Sequence, residues 1–89
     1  MSKLYNLNNE FIRECIGVVP ENFTGINVTD NGHKFWRLNG ERHRLDGPAV
    51  DCTSTGSQYS RYYIHGKYID ATPESFKLLV DVMKLKGLL

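Results

Sequence analysis

The side chains with chemistry to offer in this 89-residue chain are three histidines (His33, His43, His65), two cysteines (Cys15, Cys52) and a run of basic and aromatic residues between Lys34 and Tyr68. A metal site needs several converging ligands, and none of these residues shows the close pairing of zinc ligands. Cys52 beside a histidine would be a nucleophile pair, but its setting in the repeat described below marks it as a small core residue. No carboxylate pair for glycoside chemistry is recognisable from spacing. "GERHRLDG" lacks both the strand–loop–helix context and the Lys-Ser/Thr ending of a phosphate-binding loop. The expectation is a non-enzymatic protein with no cofactor and no metal.

Binding chemistry is better represented. Lys34, Arg37, Arg42, Arg44, Arg61 and Lys67 cluster around two predicted hairpins, with Phe35, Tyr59, Tyr63 and Tyr68 interleaved. Arginine forks grip carboxylate or phosphate, and a sheet offering aromatic rings beside them can stack bases. The formal net charge is only +1, so any attraction to an anion must come from a local patch.

The elements that would position these residues follow from pattern and punctuation. The length predicts a single domain over 1–89, with a thin core that leaves about 40% of the unfolded chain's surface exposed. The first 20 residues carry Glu10, Arg13 and Glu14 with no apolar run, so neither a secretory signal nor a membrane span is expected. The expectation is a soluble cytoplasmic protein with free thiols.

Phe11, Ile12, Cys15 and Ile16 fall at helical spacing, which predicts a short amphipathic helix over 8–16 capped by Asn8 or Asn9. From Ile26 the period becomes two. Asp30-Asn31-Gly32, Asn39-Gly40, Asp46-Gly47-Pro48, the Thr53–Ser57 cluster and His65-Gly66 punctuate about six short strands. Thr72, Pro73 and Glu74 start a helix over 73–86 that ends at Gly87. The predicted fold class is α+β, a twisted antiparallel β-meander with a short N-terminal helix and a C-terminal helix.

Residues 26–70 hold an internal repeat. With Asn39-Gly40 laid on His65-Gly66, Trp36 falls on Tyr62, Leu38 on Ile64 and His43 on Ile69; upstream, Gly32 matches Gly56, Ile26 matches Val50 and Val28 matches Cys52. A type I′ turn at Asn39-Gly40 would pair Leu38 with Glu41, Arg37 with Arg42, Trp36 with His43 and Phe35 with Arg44. Alternation then sends Trp36, Leu38, His43 and Leu45 inward beneath the C-terminal helix, and leaves Phe35, Arg37, Arg42 and Arg44 outside.

Trp36, Asn39, Gly40, His43, Arg44, Asp46, Gly47, Pro48 and Ala49 match a W-x-x-N-G-x-x-H-R-x-D-G-P-A pattern. The segment resembles the repeats of many small bacteriophage proteins, which look like relatives of MORN-type β-hairpin repeats. The resemblance implies a scaffold of phage origin acting in the host cytoplasm, and no catalytic residue. The functional expectation is a binding module that engages a host protein, as an inhibitor of a host or defence factor, through Phe35, Arg37, Arg42, Arg44 and Tyr63. The alternative is an RNA or small signalling nucleotide on the same face, reached also by Lys34, Arg61, Lys67 and Tyr68. A third reading is a self-assembling structural protein, a homodimer seamed by the helix stripe, Leu88-Leu89 and an open sheet edge.

Overall fold

In a computed structural model, described for residues 1–53 and 59–88, the chain forms eight strands and one helix. The strands are β1 Ser2–Tyr5, β2 Phe11–Cys15, β3 Gly25–Thr29, β4 Lys34–Leu38, β5 Glu41–Arg42, β6 Val50–Asp51, β7 Ser60–Ile64 and β8 Lys67–Ile69; the helix, α1, is Pro73–Leu85. They make one antiparallel sheet in the order β2-β1-β3-β4-β6-β7-β8, with β5 attached to β4. A meander runs from β3 onward, but β3 docks on β1 rather than on β2. The outermost strands are β2 and β8.

The N-terminal helix expected over 8–16 is a strand. Asn6 reverses the chain instead of a helix cap: its Oδ1 accepts the backbone N–H groups of Asn8 and Glu10, and Asn9 sits at φ 65°. A side chain that bonds backbone N–H groups two and four residues on stabilises a turn. Phe11 then meets Tyr5 edge-on across the hairpin, with ring centroids 5.6 Å apart. A five-residue run of this composition fits either period, and a strand partner decides it.

The two x-Gly turns are equivalent, as the repeat predicts. Asn39 and Gly40 have φ 50° and 84°, and His65 and Gly66 have φ 48° and 80°. Positive φ at both central residues is the mark of the type I′ hairpin. Gly56, the second copy of Gly32, lies outside the described residues. Leu38 pairs with Glu41 and Arg37 with Arg42, and His43 donates its N–H to the Trp36 carbonyl.

Here the chain departs from the predicted hairpin. Beyond His43 it leaves β4, and the remaining edge of β4 is taken by β6: Phe35 pairs with Val50 and not with Arg44, Lys34 pairs with Asp51, and Trp36 donates its N–H to Ala49. Residues 43–49 are thus an excursion between two partners of a single strand. Arg44 does not join Arg37 and Arg42. Its guanidinium carbon lies 3.8 Å from the Trp36 ring centroid, Nε donates to Asp46 at 2.8 Å and Nη1 to the Pro48 carbonyl at 3.2 Å. A Cβ on Gly47 would lie 3.0 Å from that guanidinium. The Asp-Gly-Pro turn therefore closes over an arginine already stacked on tryptophan.

The helix boundaries match the sequence signals. Thr72 and Ser75 form a capping box, and Pro73 opens the first turn. Gly87 at φ 68° ends the helix with Leu88 N–H bonded to Met83 and Gly87 N–H to Lys84, the paired bonds of a Schellman ending. Phe76 and Val80 bury against Ile64, with Leu45, Tyr62, Ile69, Ala71 and Met83 around them. Tyr62 and Phe76 stack at 4.3 Å. Strand alternation predicts that the helix also covers Trp36; that ring is capped by Arg44 instead.

Glycine substitutions separate backbone strain from close approach. At Gly17, φ is 89° and a Cβ would meet nothing within 4 Å, whereas at Gly40, φ is 84° and a Cβ would collide with the Glu21 carbonyl. Gly17→Ala should cost about 1 kcal/mol, the ordinary cost of left-handed backbone. Gly40→Ala should cost several-fold more, because the 18–24 loop must move. Thermal denaturation of the two variants side by side checks the difference.

Candidate functional site

The pairing register assigns every strand side chain to a face. One face carries Lys3, Glu14, Lys34, Glu41, Asp51 and Lys67 among its charged residues, with Lys3 opposite Glu14 and Lys34 opposite Asp51. The other face carries Arg13, Arg37, Arg42 and Arg61 and, among its strand residues, no aspartate or glutamate. The sheet thus segregates its charges: lysines matched with acids on the helix-bearing side, arginines without them on the opposite side.

On the arginine side the register lays out a small grid. Arg37 and Phe35 stand on β4; Arg42 of β5 and Val50 of β6 lie opposite them; Arg61 of β7 lies opposite Val50. Tyr63 reaches Arg42 and pairs across to Tyr68. Cations and rings touch in unbroken sequence. Phe35 lies between Arg37 and Arg42, whose guanidinium carbons are 5.7 and 5.8 Å from its centroid. Arg42 is 5.3 Å from the Tyr63 ring, Tyr63 is 5.7 Å from Tyr68, and Arg61 sits 5.3 Å from Tyr68 and 4.8 Å from Tyr59. Exposed cation–π contacts each contribute about 0.5–1 kcal/mol. Together they tie the cations and rings of this face into one connected row.

The hydrogen-bond partners of these arginines are neutral groups. Arg37 donates from Nε to the Asn27 side chain at 3.0 Å and from Nη1 to the Gly40 carbonyl at 3.2 Å. Arg42 reaches the Tyr63 hydroxyl at 3.4 Å, and Arg61 the Tyr68 hydroxyl at 2.8 Å. Among the described residues the ion pairs are Met1 with Asp30 and Arg44 with Asp46. Burial, then the neighbouring charge of Arg42, push the Arg37 pKa down, whereas hydrogen bonds with Tyr59 and Tyr68 push that of Arg61 up. Arg37 is the enclosed end of the row and Arg61 the solvated end.

A hollow of about 400 Å³ opens in the middle, lined by His33, Phe35, Arg42, Val50, Cys52 and Tyr59. Val50 and Cys52 are buried and Tyr59 is 45% exposed. Cys15, by contrast, is buried beside the Val18 carbonyl. Both thiols are free.

The structure therefore brings together Phe35, Arg37, Arg42, Tyr63, Arg61 and Tyr68 from the expected set. Lys34 and Lys67 point from the opposite face, and Arg44 is engaged on Trp36. His33, Val50 and Cys52 were not expected here. They enter because β6 returns alongside β4, a long-range pairing that no local signal announces.

The two hairpins are joined by histidines. His43 Nδ1 accepts the backbone N–H of His65 at 2.9 Å, and the rings lie 4.3 Å apart. No group of three or more His, Cys, Asp or Glu side chains among the described residues is placed to hold a metal ion, and none of the described helices is long and apolar enough to cross a membrane. Compared with protein-family models, curated proteins and solved structures, the chain matches none.

Burial, then the charge of His65, lower the His43 pKa below its ordinary 6.5, with Glu41 opposing them. A group depressed on folding stabilises the fold fully above its unfolded pKa of about 6.5 and loses that contribution as pH falls through its folded value. Stability should therefore decline between neutral pH and pH 5. In His43→Asn, which keeps an acceptor but does not titrate, this part of the decline should vanish. Melting temperatures measured at several pH values for both proteins check it.

Proposed function

We propose that the protein is a non-enzymatic binding module that engages an acidic surface of a host protein through the arginine–aromatic face. The observation that carries this reading is the charge segregation of the sheet: Arg37, Arg42 and Arg61 share one face with no strand carboxylate, while the acids of the strands all stand with lysines on the other. Arginine and tyrosine are the residue types that dominate binding hot spots between proteins, and here they are ordered before any partner arrives. The resemblance of residues 35–49 to phage hairpin repeats supports a bacterial host and a role in blunting a host or defence factor.

A net charge of +1 gives weak long-range pull on a polyanion, which favours a protein over nucleic acid. The second reading, RNA or a small nucleotide, has one observation in its favour: Tyr59 and Tyr68 are 45% and 47% exposed and flank Arg61.

The test is capture from nuclease-treated host lysate by the wild-type protein and by an Arg42→Glu/Arg61→Glu variant. A protein retained by the former and lost by the latter, with unchanged far-ultraviolet circular dichroism, is the expected result. Retention by both would remove this face from consideration. Arg44→Ala serves as the contrasting variant. It should lower stability by about 1–2 kcal/mol through the lost stack and the bonds to Asp46 and Pro48, yet leave capture intact.

A further inference from the structure

We infer that the element recognised on the partner is a short extended acidic segment in which two carboxylates accompany one apolar side chain, the apolar side chain seated in the hollow over Phe35, Val50 and Cys52 and the carboxylates held by Arg42 and Arg61. This rests on the binding-module reading and specifies its ligand.

The hollow has a floor and a rim of different character. Val50 and Cys52 are buried and form the floor beside Phe35, and His33, Arg42 and the exposed Tyr59 complete the lining. At about 400 Å³ it holds one large aliphatic or aromatic side chain together with adjoining backbone. Arg61 stands opposite Val50 on the next strand, and Arg42 lies two residues along β4 from the Phe35–Val50 pair. In the register, one strand spacing and two residues separate Arg42 from Arg61, a backbone distance of about 8 Å. Side chains at alternate positions of an extended peptide share one face about 7 Å apart, so two successive carboxylates of that face span the pair and the apolar side chain is the next residue of the same face.

The guanidinium groups are presented for this use. Arg61 is bonded to the Tyr68 hydroxyl and lies between the rings of Tyr59 and Tyr68, while Arg42 is held between Phe35 and Tyr63. Each keeps further N–H donors for a ligand, since a guanidinium has five. A carboxylate accepts such donors in pairs. An acidic surface without an apolar residue would leave the floor wet.

The test is fluorescence anisotropy with a labelled short peptide of alternating aspartate and glutamate around a central leucine. It is compared with the same peptide bearing serine for leucine, with the glutamine–asparagine version, and with single-stranded polyuridine of equal length. The acidic leucine peptide should bind at least tenfold more tightly than the other three. Arg42→Gln and Arg61→Gln should each weaken it about tenfold, and Arg42→Lys should recover only part of the loss because an ammonium lacks the planar fork. Equal binding of the amide peptide, or tighter binding of polyuridine, would overturn the inference. If the acidic peptide fails while lysate capture still depends on Arg42 and Arg61, the ligand assignment falls and the binding module stands. If capture is indifferent to both arginines, the two fall together.

Discussion

The structure depends on how the hydrogen bonds of one strand edge are divided. β4 gives the end nearest Leu38 to β5 and the end nearest Lys34 to β6, so the chain must leave β4 after His43, where Arg44 donates its N–H to Tyr63 of β7, and return to it at Val50. Buried backbone donors and acceptors have to be paired, and the seam is closed by Trp36, whose carbonyl takes the His43 N–H and whose own N–H goes to Ala49. The short detour is held down by its own contents. Arg44 stacks on Trp36, Asp46 and the Pro48 carbonyl take its N–H groups, and Gly47 leaves room for it. A motif that looks like a cluster of functional residues is largely an internal clamp.

That division also sets the opposite face. Because β6 arrives two residues along β4 from Arg42, Val50 falls beside Phe35, and β7 brings Arg61 and Tyr63 next to them. Exposed cations are cheap to keep on a surface, but a row of them without acids lacks compensation from within the chain. The molecule offsets the repulsion with rings and hydroxyls, which orient the guanidinium groups and leave their charge in place.

Much of this was legible in the residues. Asn39-Gly40 and His65-Gly66 announce two equivalent tight turns, and Thr72-Pro73 with Gly87 delimits the helix, because these effects act within a few residues. The first hairpin was not legible: Phe11, Ile12, Cys15 and Ile16 fit a helix as well as a strand, and β1 has too little pattern to announce itself as the partner. The position of Arg44 is hidden for a related reason. Local alternation carries it to the outer face only if the hairpin continues, and its end is decided by β6, which is distant in sequence. Phe35, Arg37 and Arg42 were placed correctly because they lie within reach of the turn. The hollow needed His33, Val50 and Cys52, which only the assembled sheet brings side by side.

The sheet ends on two strands, β2 and β8, that each have one neighbour within it. Free rims of this kind invite other chains to add on, and proteins commonly guard them with charge. Here the guards are Arg13 and Glu14 on β2 and Lys67 on β8. A second molecule aligning against either rim would have to desolvate ionised groups, so endless edgewise stacking is discouraged.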